Sequence, residues 1–313
     1  MIGVATSLAA ALAVSAPQAD DAPPKSSIVL EVPATHRLIE GIATDGETIW
    51  LSSVVDRRIL VWRGAKLVRL LPMPRGTARP LGLAFDAGRN WIWIATDCPR
   101  IEVSDPCSGG ALIAIDRRGR LKAKLRPAGA ELHFGDVSVH GGTVQVSDSR
   151  NGAVYTCRGE CRTLDIVVPV GVGRSAQSTV RYDDERKLLV ADYSVGIASI
   201  DATGVRTPIV REDGRPLRGV DGLVGAGDWI IGVQNSQSPG VVLAFKLAAD
   251  GQHMAALHVL AGGPDYPDPT QLAVSGNRIL IVADAQWAAY DAAKPEGRPA
   301  QHVTRILSIP IPK

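Results

Sequence analysis

Two acid-glycine dipeptides, Glu40-Gly41 and Asp221-Gly222, each stand just ahead of a short apolar run in this 313-residue chain. Asp-Gly by itself is a common turn signal, so what these residues do depends on what the fold brings beside them. Gln177 stands at a comparable place, before "STVRYDDERKLLVAD". Two carboxylates and a carboxamide converging on one point form an oxygen-only ligand set, suited to a divalent cation of the Ca²⁺ or Mg²⁺ class. Without a cation the same groups would solvate a channel and bond backbone amides at its mouth.

Basic residues precede several of the same points. Arg37, Arg79, Arg174 and Arg218, together with His133, fall in the segments leading into Glu40, Leu81, Gln177, Asp221 and Gly135. Forked guanidinium donors at corresponding loop positions suggest binding of a small anionic molecule through carboxylate or phosphate. Pairing with loop acids is the alternative. A formal net charge of +2, with no dense basic run, argues against nucleic acid as a partner.

The elements that position these residues come from an internal repeat. "EGIATDGETIWLSSVVDRRILVW" at 40, "LGLAFDAGRNWIWIATD" at 81 and "GDVSVHGGTVQVSDSRNGAVYTC" at 135 share one pattern with the segments that begin at 177, 221 and 270. In each, a short apolar strand turns through Asp, Gly, Asn or Ser into a second strand that ends near Asp, Asn or Ser, and a third follows. A fourth closes most units, as in "KLVRLLPMP" and "TLDIVVPV". This spacing predicts a six-bladed β-propeller of four-stranded blades, an all-β fold. The composition agrees, with 32 Gly and 21 Pro punctuating a chain that is 45% hydrophobic and has no long helical face. The last unit lacks a fourth strand, and "SSIVLEVP" at residues 26–33 is a strand without a blade, so the two are expected to pair and close the ring. Glu40, Leu81, Gly135, Gln177, Asp221 and Thr270 then open the six innermost strands at one mouth of the central channel.

The organisation expected is an export signal over residues 1–19, a linker over 20–26 and a single propeller domain over 27–313, in a periplasmic or secreted protein without a membrane span. Four cysteines in two local pairs, Cys98 with Cys107 and Cys157 with Cys161, suit two disulfides in an oxidising compartment.

With Glu40-Gly41, Asp221-Gly222, "SDSRNGAVY" at 147–155 and "PT" at 269–270, the chain resembles the senescence marker protein/gluconolactonase-like propellers and their strictosidine synthase-like relatives. That resemblance implies a metal-dependent hydrolase of lactones or similar cyclic esters, in which one Glu, two Asn and one Asp of the inner strands hold a divalent cation. Glu40 and Asp221 match the acids, which also makes Asp221 the candidate base. Gln177 and Gly135 stand where the family has asparagine, and glycine offers no ligand, so a non-catalytic propeller that binds an anionic small molecule or a protein partner is the alternative.

Overall fold

The computed structural model describes residues 26–101, 109–127, 131–182, 187–292 and 296–313. The expected export signal over residues 1–19 and the partner in the Cys98–Cys107 pair, Cys107, lie outside the described residues. Among the described residues, twenty-four strands form six four-stranded antiparallel sheets arranged as the blades of a propeller. Blade 1 runs outward through Ile39–Thr44, Thr48–Ser53, Arg58–Arg63 and Lys66–Pro72. The inner strands of blades 2 to 6 are Arg79–Asp86, Phe134–His140, Ala176–Tyr182, Val220–Ala226 and Leu272–Ser275. Each inner strand contacts those of its two neighbours, and blade 6 contacts blade 1, so the ring is complete.

Burial explains why the strands read as they do. Second strands such as Trp91–Asp97 and Lys187–Asp192 are covered on both faces, which calls for continuous apolar runs instead of alternation. Outer strands such as Lys66–Pro72 face solvent over most of their length and carry charges that blunt the edge. The core lies between blades. Ile59 and Val61 pack on Ile92, Ile94 and Ile113 between blades 1 and 2, and Ile231 and Val233 pack on Ile279 and Ile281 between blades 5 and 6.

Closure occurs in blade 6, whose order is Leu272–Ser275, Arg278–Val282, Thr304–Pro310 and then Ser27–Val32 on the outside. Leu30 and Val32 of that closing strand join Leu280, Val282 and Ile306 in the cluster bridging blades 6 and 1. The expected Cys157–Cys161 disulfide is present, joining the end of the third strand of blade 3 to the loop beyond it. No helix among the described residues is long and apolar enough to cross a membrane.

Candidate functional site

The inner strands are interrupted at the same level in every blade. Pairing with the second strand slips between Ile39 and Ile42, Pro80 and Leu83, Phe134 and Asp136, Ala176 and Ser178, and Val220 and Leu223. In blade 6 the Thr270 amide donates to the Val282 carbonyl while the Val282 amide donates to the Gln271 carbonyl, so two residues again face one. A β-bulge of this kind frees a side chain from the pleat and re-aims it. Here it turns Glu40, Leu81, Gly135, Gln177, Asp221 and Gln271 into a cavity of about 320 Å³ at one mouth of the channel. The sixth position is therefore Gln271, not the expected Thr270. Thr270 is fully buried, and its hydroxyl donates to the Glu40 carbonyl at 3.0 Å.

Glycine makes the bulges possible where blades crowd. A Cβ on Gly82 would sit 2.7 Å from Asp136 Cα and 3.0 Å from the Gly135 carbonyl, backbone atoms that cannot swing aside. Gly82→Ala is expected to cost about 1–3 kcal/mol, the range for overpacking. An unchanged urea midpoint would show that the inner strands can move apart.

A second tier of cavity wall comes from the chain at or just beyond the second strands: Asp97, Ser149, Tyr193 and Asn235. Trp287, in the short 3₁₀ turn Trp287–Ala289, completes the mouth. Its indole N–H donates to Glu40 Oε2 at 2.7 Å, and its amide donates to Asp268 at 2.9 Å. The Asn235 side-chain amide donates to Asp221 Oδ2 at 2.8 Å and to the Pro269 carbonyl at 3.0 Å, which leaves Asn235 Oδ1 buried with no partner. The Gln177 amide donates to Ser175 Oγ at 3.0 Å, and its Oε1 lies 3.4 Å from where a side chain on residue 135 would begin. The glutamine oxygen thus reaches over the space that Gly135 leaves open.

The carboxyl groups carry the electrostatic signature of an enclosed acidic site. Burial holds Glu40 well above the usual carboxylate range; Asp221 adds to the effect, and the Trp287 bond works against it. Asp221 keeps some surface open to the cavity but is otherwise enclosed. Burial pushes it up to about 7, opposed by Asn235 and reinforced by Asp136 and Asp268. Burial likewise pushes Asp136, beneath the cavity, up to about 7 against the bond from the Ser178 hydroxyl. Among the described residues that line the cavity there is no Arg or Lys.

None of the basic residues expected at the mouth lines the cavity. Arg37 turns outward to Asp56, with Nη2 2.6 Å from Oδ1. Arg79 is buried and donates to the carbonyls of Val54 and Val55 at 3.1 and 2.8 Å, so its guanidinium braces a loop. His133 is buried behind the wall with Nδ1 2.8 Å from Asp97 Oδ1. Arg174 and Arg218 are exposed on loops leading into blades 4 and 5, and neither lines the cavity. Asp97, Tyr193, Asn235, Gln271 and Trp287 are among the wall residues that the repeat did not single out. Four of them had a signal, because they stand at or beside the polar residues that end second strands or open the last unit.

Among the described residues no group of three or more His, Cys, Asp and Glu converges as a metal centre. The residues that would hold a cation offer a mixed set: the carboxylates of Glu40 and Asp221, the unpartnered Asn235 Oδ1, and Gln177 Oε1. These are all hard oxygen donors.

No protein-family model matches the chain, and no curated protein is similar enough in sequence to match it. Solved structures similar in fold include the PQQ-bound aldose sugar dehydrogenase of Streptomyces coelicolor, with a TM-score of 0.59, 13% identity, and coverage of 92% of this chain and 99% of that one. A luciferin-regenerating enzyme has a TM-score of 0.62 and 11% identity, covering 92% and 95%. Virginiamycin B lyase from Staphylococcus aureus has a TM-score of 0.58 and 12% identity, covering 84% and 83%. At these identities the likeness shows a shared propeller fold.

Proposed function

We propose that the chain is an exported, cation-dependent hydrolase of lactones or similar cyclic esters, acting at the cavity lined by Glu40 and Asp221. One observation carries this: two enclosed carboxylates line one cavity together with Asn235, whose side-chain oxygen is buried without a partner, and among the described residues no lining arginine or lysine neutralises them. Glu40, Asp221, Gln177 Oε1 and Asn235 Oδ1 would hold a Ca²⁺ or Mg²⁺ ion. Such an ion, when bound, polarises an ester carbonyl and stabilises the charge that develops on it. Asp221 accepts a proton from the attacking water. Trp287 fixes the Glu40 carboxylate through its indole N–H, and with Tyr193 it walls the cavity. A substrate with an anionic group would meet the exposed Arg174 and Arg218 on the approach. The Glu40-Gly41 and Asp221-Gly222 motifs of the gluconolactonase-like family support this reading, and the Cys157–Cys161 disulfide supports export.

Metal analysis of the purified protein, together with a lactone-hydrolysis screen with and without chelator, tests it. The expected result is about one equivalent of a divalent cation per chain and hydrolysis that chelation abolishes and calcium restores. No retained metal and no hydrolysis with added calcium or magnesium would favour a non-catalytic propeller that binds a ligand at the same mouth.

A further inference from the structure

Opening an aliphatic lactone ejects an alkoxide, a poor leaving group that needs a proton as the ring C–O bond breaks. Asp221, which takes a proton from water, belongs to blade 5. A donor for the departing oxygen has to reach the same carbon from another part of the cavity wall, and blade 2 faces blade 5 in a ring of six. Asp97 ends the second strand of blade 2, is buried, and lines the cavity.

We propose that Asp97, held by His133, is the proton donor to the leaving oxygen, and that His133 and Glu131 reload it from solvent; this rests on the hydrolytic function proposed above. Asp97 Oδ1 is 2.8 Å from His133 Nδ1. The other ring nitrogen, Nε2, is 3.3 Å from Glu131 Oε1, and the Glu131 side chain is 83% exposed. The three groups form a chain from the cavity wall to an exposed carboxylate. The imidazole is held by its own backbone: the His133 amide donates to Asp148 Oδ2 at 2.9 Å, and the Ser149 amide donates to the His133 carbonyl at 2.9 Å. Arg150 lies beside the ring, with Nη1 3.4 Å from His133 Nε2. Burial pushes the Asp97 carboxyl up, favouring the protonated form a donor needs, while the Cys98 amide, His133 and Arg150 restrain it.

The protons balance. Water adds to the carbonyl carbon; one of its hydrogens passes to Asp221 and the other stays on the new carboxylic acid. The ring C–O bond breaks, and its electron pair, with the Asp97 proton, forms the product hydroxyl. Asp97 recovers a proton through His133 from the Glu131 side, Asp221 releases one, and ionisation of the product acid leaves one net proton in solution.

Leaving-group dependence separates a proton donor from a structural residue. The calcium-supplemented protein and its Asp97→Asn and His133→Gln variants are assayed on δ-valerolactone, which expels an alkoxide, and on dihydrocoumarin, which expels a far more stable phenolate. Asp97→Asn is expected to lose about a hundredfold or more on the aliphatic lactone. It should lose less than about tenfold on the aryl lactone and lack the alkaline fall-off in rate that a donor imposes. His133→Gln moves that fall-off to higher pH, because His133 holds the Asp97 carboxyl down. Matching calcium-dependent melts show that both variants are folded; if Asp97→Asn is not, the pH profile of His133→Gln decides. Equal losses on the two lactones, or no loss, would overturn the donor role while leaving the hydrolase intact. A wild-type protein inert towards both would overturn the hydrolase and the donor together.

Discussion

Raising the pH of the cation-free protein from about 4 to about 7 should lower its stability by several kcal/mol, and calcium should reverse the loss. Asp221 has an ordinary value of 3.8 and is pushed up to about 7. The folded state therefore binds its proton more tightly than the unfolded chain does. That contribution is fully present below the unfolded value and disappears as pH rises through the folded one. At 1.36 kcal/mol per pH unit, Asp221 alone accounts for about 4 kcal/mol. Asp136, also pushed up to about 7, and Glu40 act in the same direction. Carboxylates held below their ordinary value, such as Asp45, Asp56 and Asp116, work the other way. Their contribution is present above the unfolded value and is lost only as pH falls below it. The cation-free protein should thus be most stable near pH 4.

A cation between Glu40 and Asp221 replaces the lost protons and should restore stability at pH 7. Urea unfolding at pH 4.5 and 7.5, with chelator and with calcium, reads both effects. Asp221→Asn keeps an oxygen that can accept from the Asn235 amide, removes one charge and flattens the slope, and should gain little from calcium. Indistinguishable midpoints in all eight samples would remove the cation site. A slope in wild type that Asp221→Asn flattens, with no calcium response in either, would leave the carboxylates as mere lining of the channel.

The blades were legible in the sequence because each is a local event: a few apolar residues, a turn, and a polar stop, repeated six times. The closing strand was legible as well, since an unmatched strand at one end and an incomplete unit at the other have one economical solution. The cavity was partly legible for a related reason. A bulge inserts a dipeptide at a fixed level, so Glu40, Gln177 and Asp221 could be aligned from sequence, but which member of the dipeptide faces the channel is a matter of register. That is how Gln271 takes the place expected for Thr270. The arginines mislead for a different reason. Their positions before the inner strands are regular, but a long side chain can reach its best partner in any direction. Arg37 finds Asp56, and Arg79 finds two carbonyls. Trp287 has no counterpart in the other units, so nothing in the repeat marks its indole as the partner of Glu40.

Removing the closing strand should be the most damaging change to the fold. A chain that starts at residue 35 loses the ladder in which Ile28 faces Leu307, Leu30 faces Ile306 and Val32 faces Thr304. Leu30 and Val32 are 3% and 0% exposed, and burying two such side chains stabilises by about 3–6 kcal/mol in all. Against a total of about 5–15 kcal/mol for an ordinary domain, that is a large fraction. The deletion also uncovers the Thr304–Pro310 strand, whose unpaired amides and carbonyls would template association with another copy. The two losses are separable. Leu30→Ala with Val32→Ala hollows the cluster between blades 6 and 1 while keeping the backbone ladder, so it should lower the urea midpoint and remain monomeric. The deletion should lower the midpoint and also aggregate in sedimentation or size-exclusion measurements. If the chain starting at residue 35 stays monomeric with an unchanged midpoint, closure through Ser27–Val32 contributes nothing to the ring, and the contacts between inner strands must hold it alone.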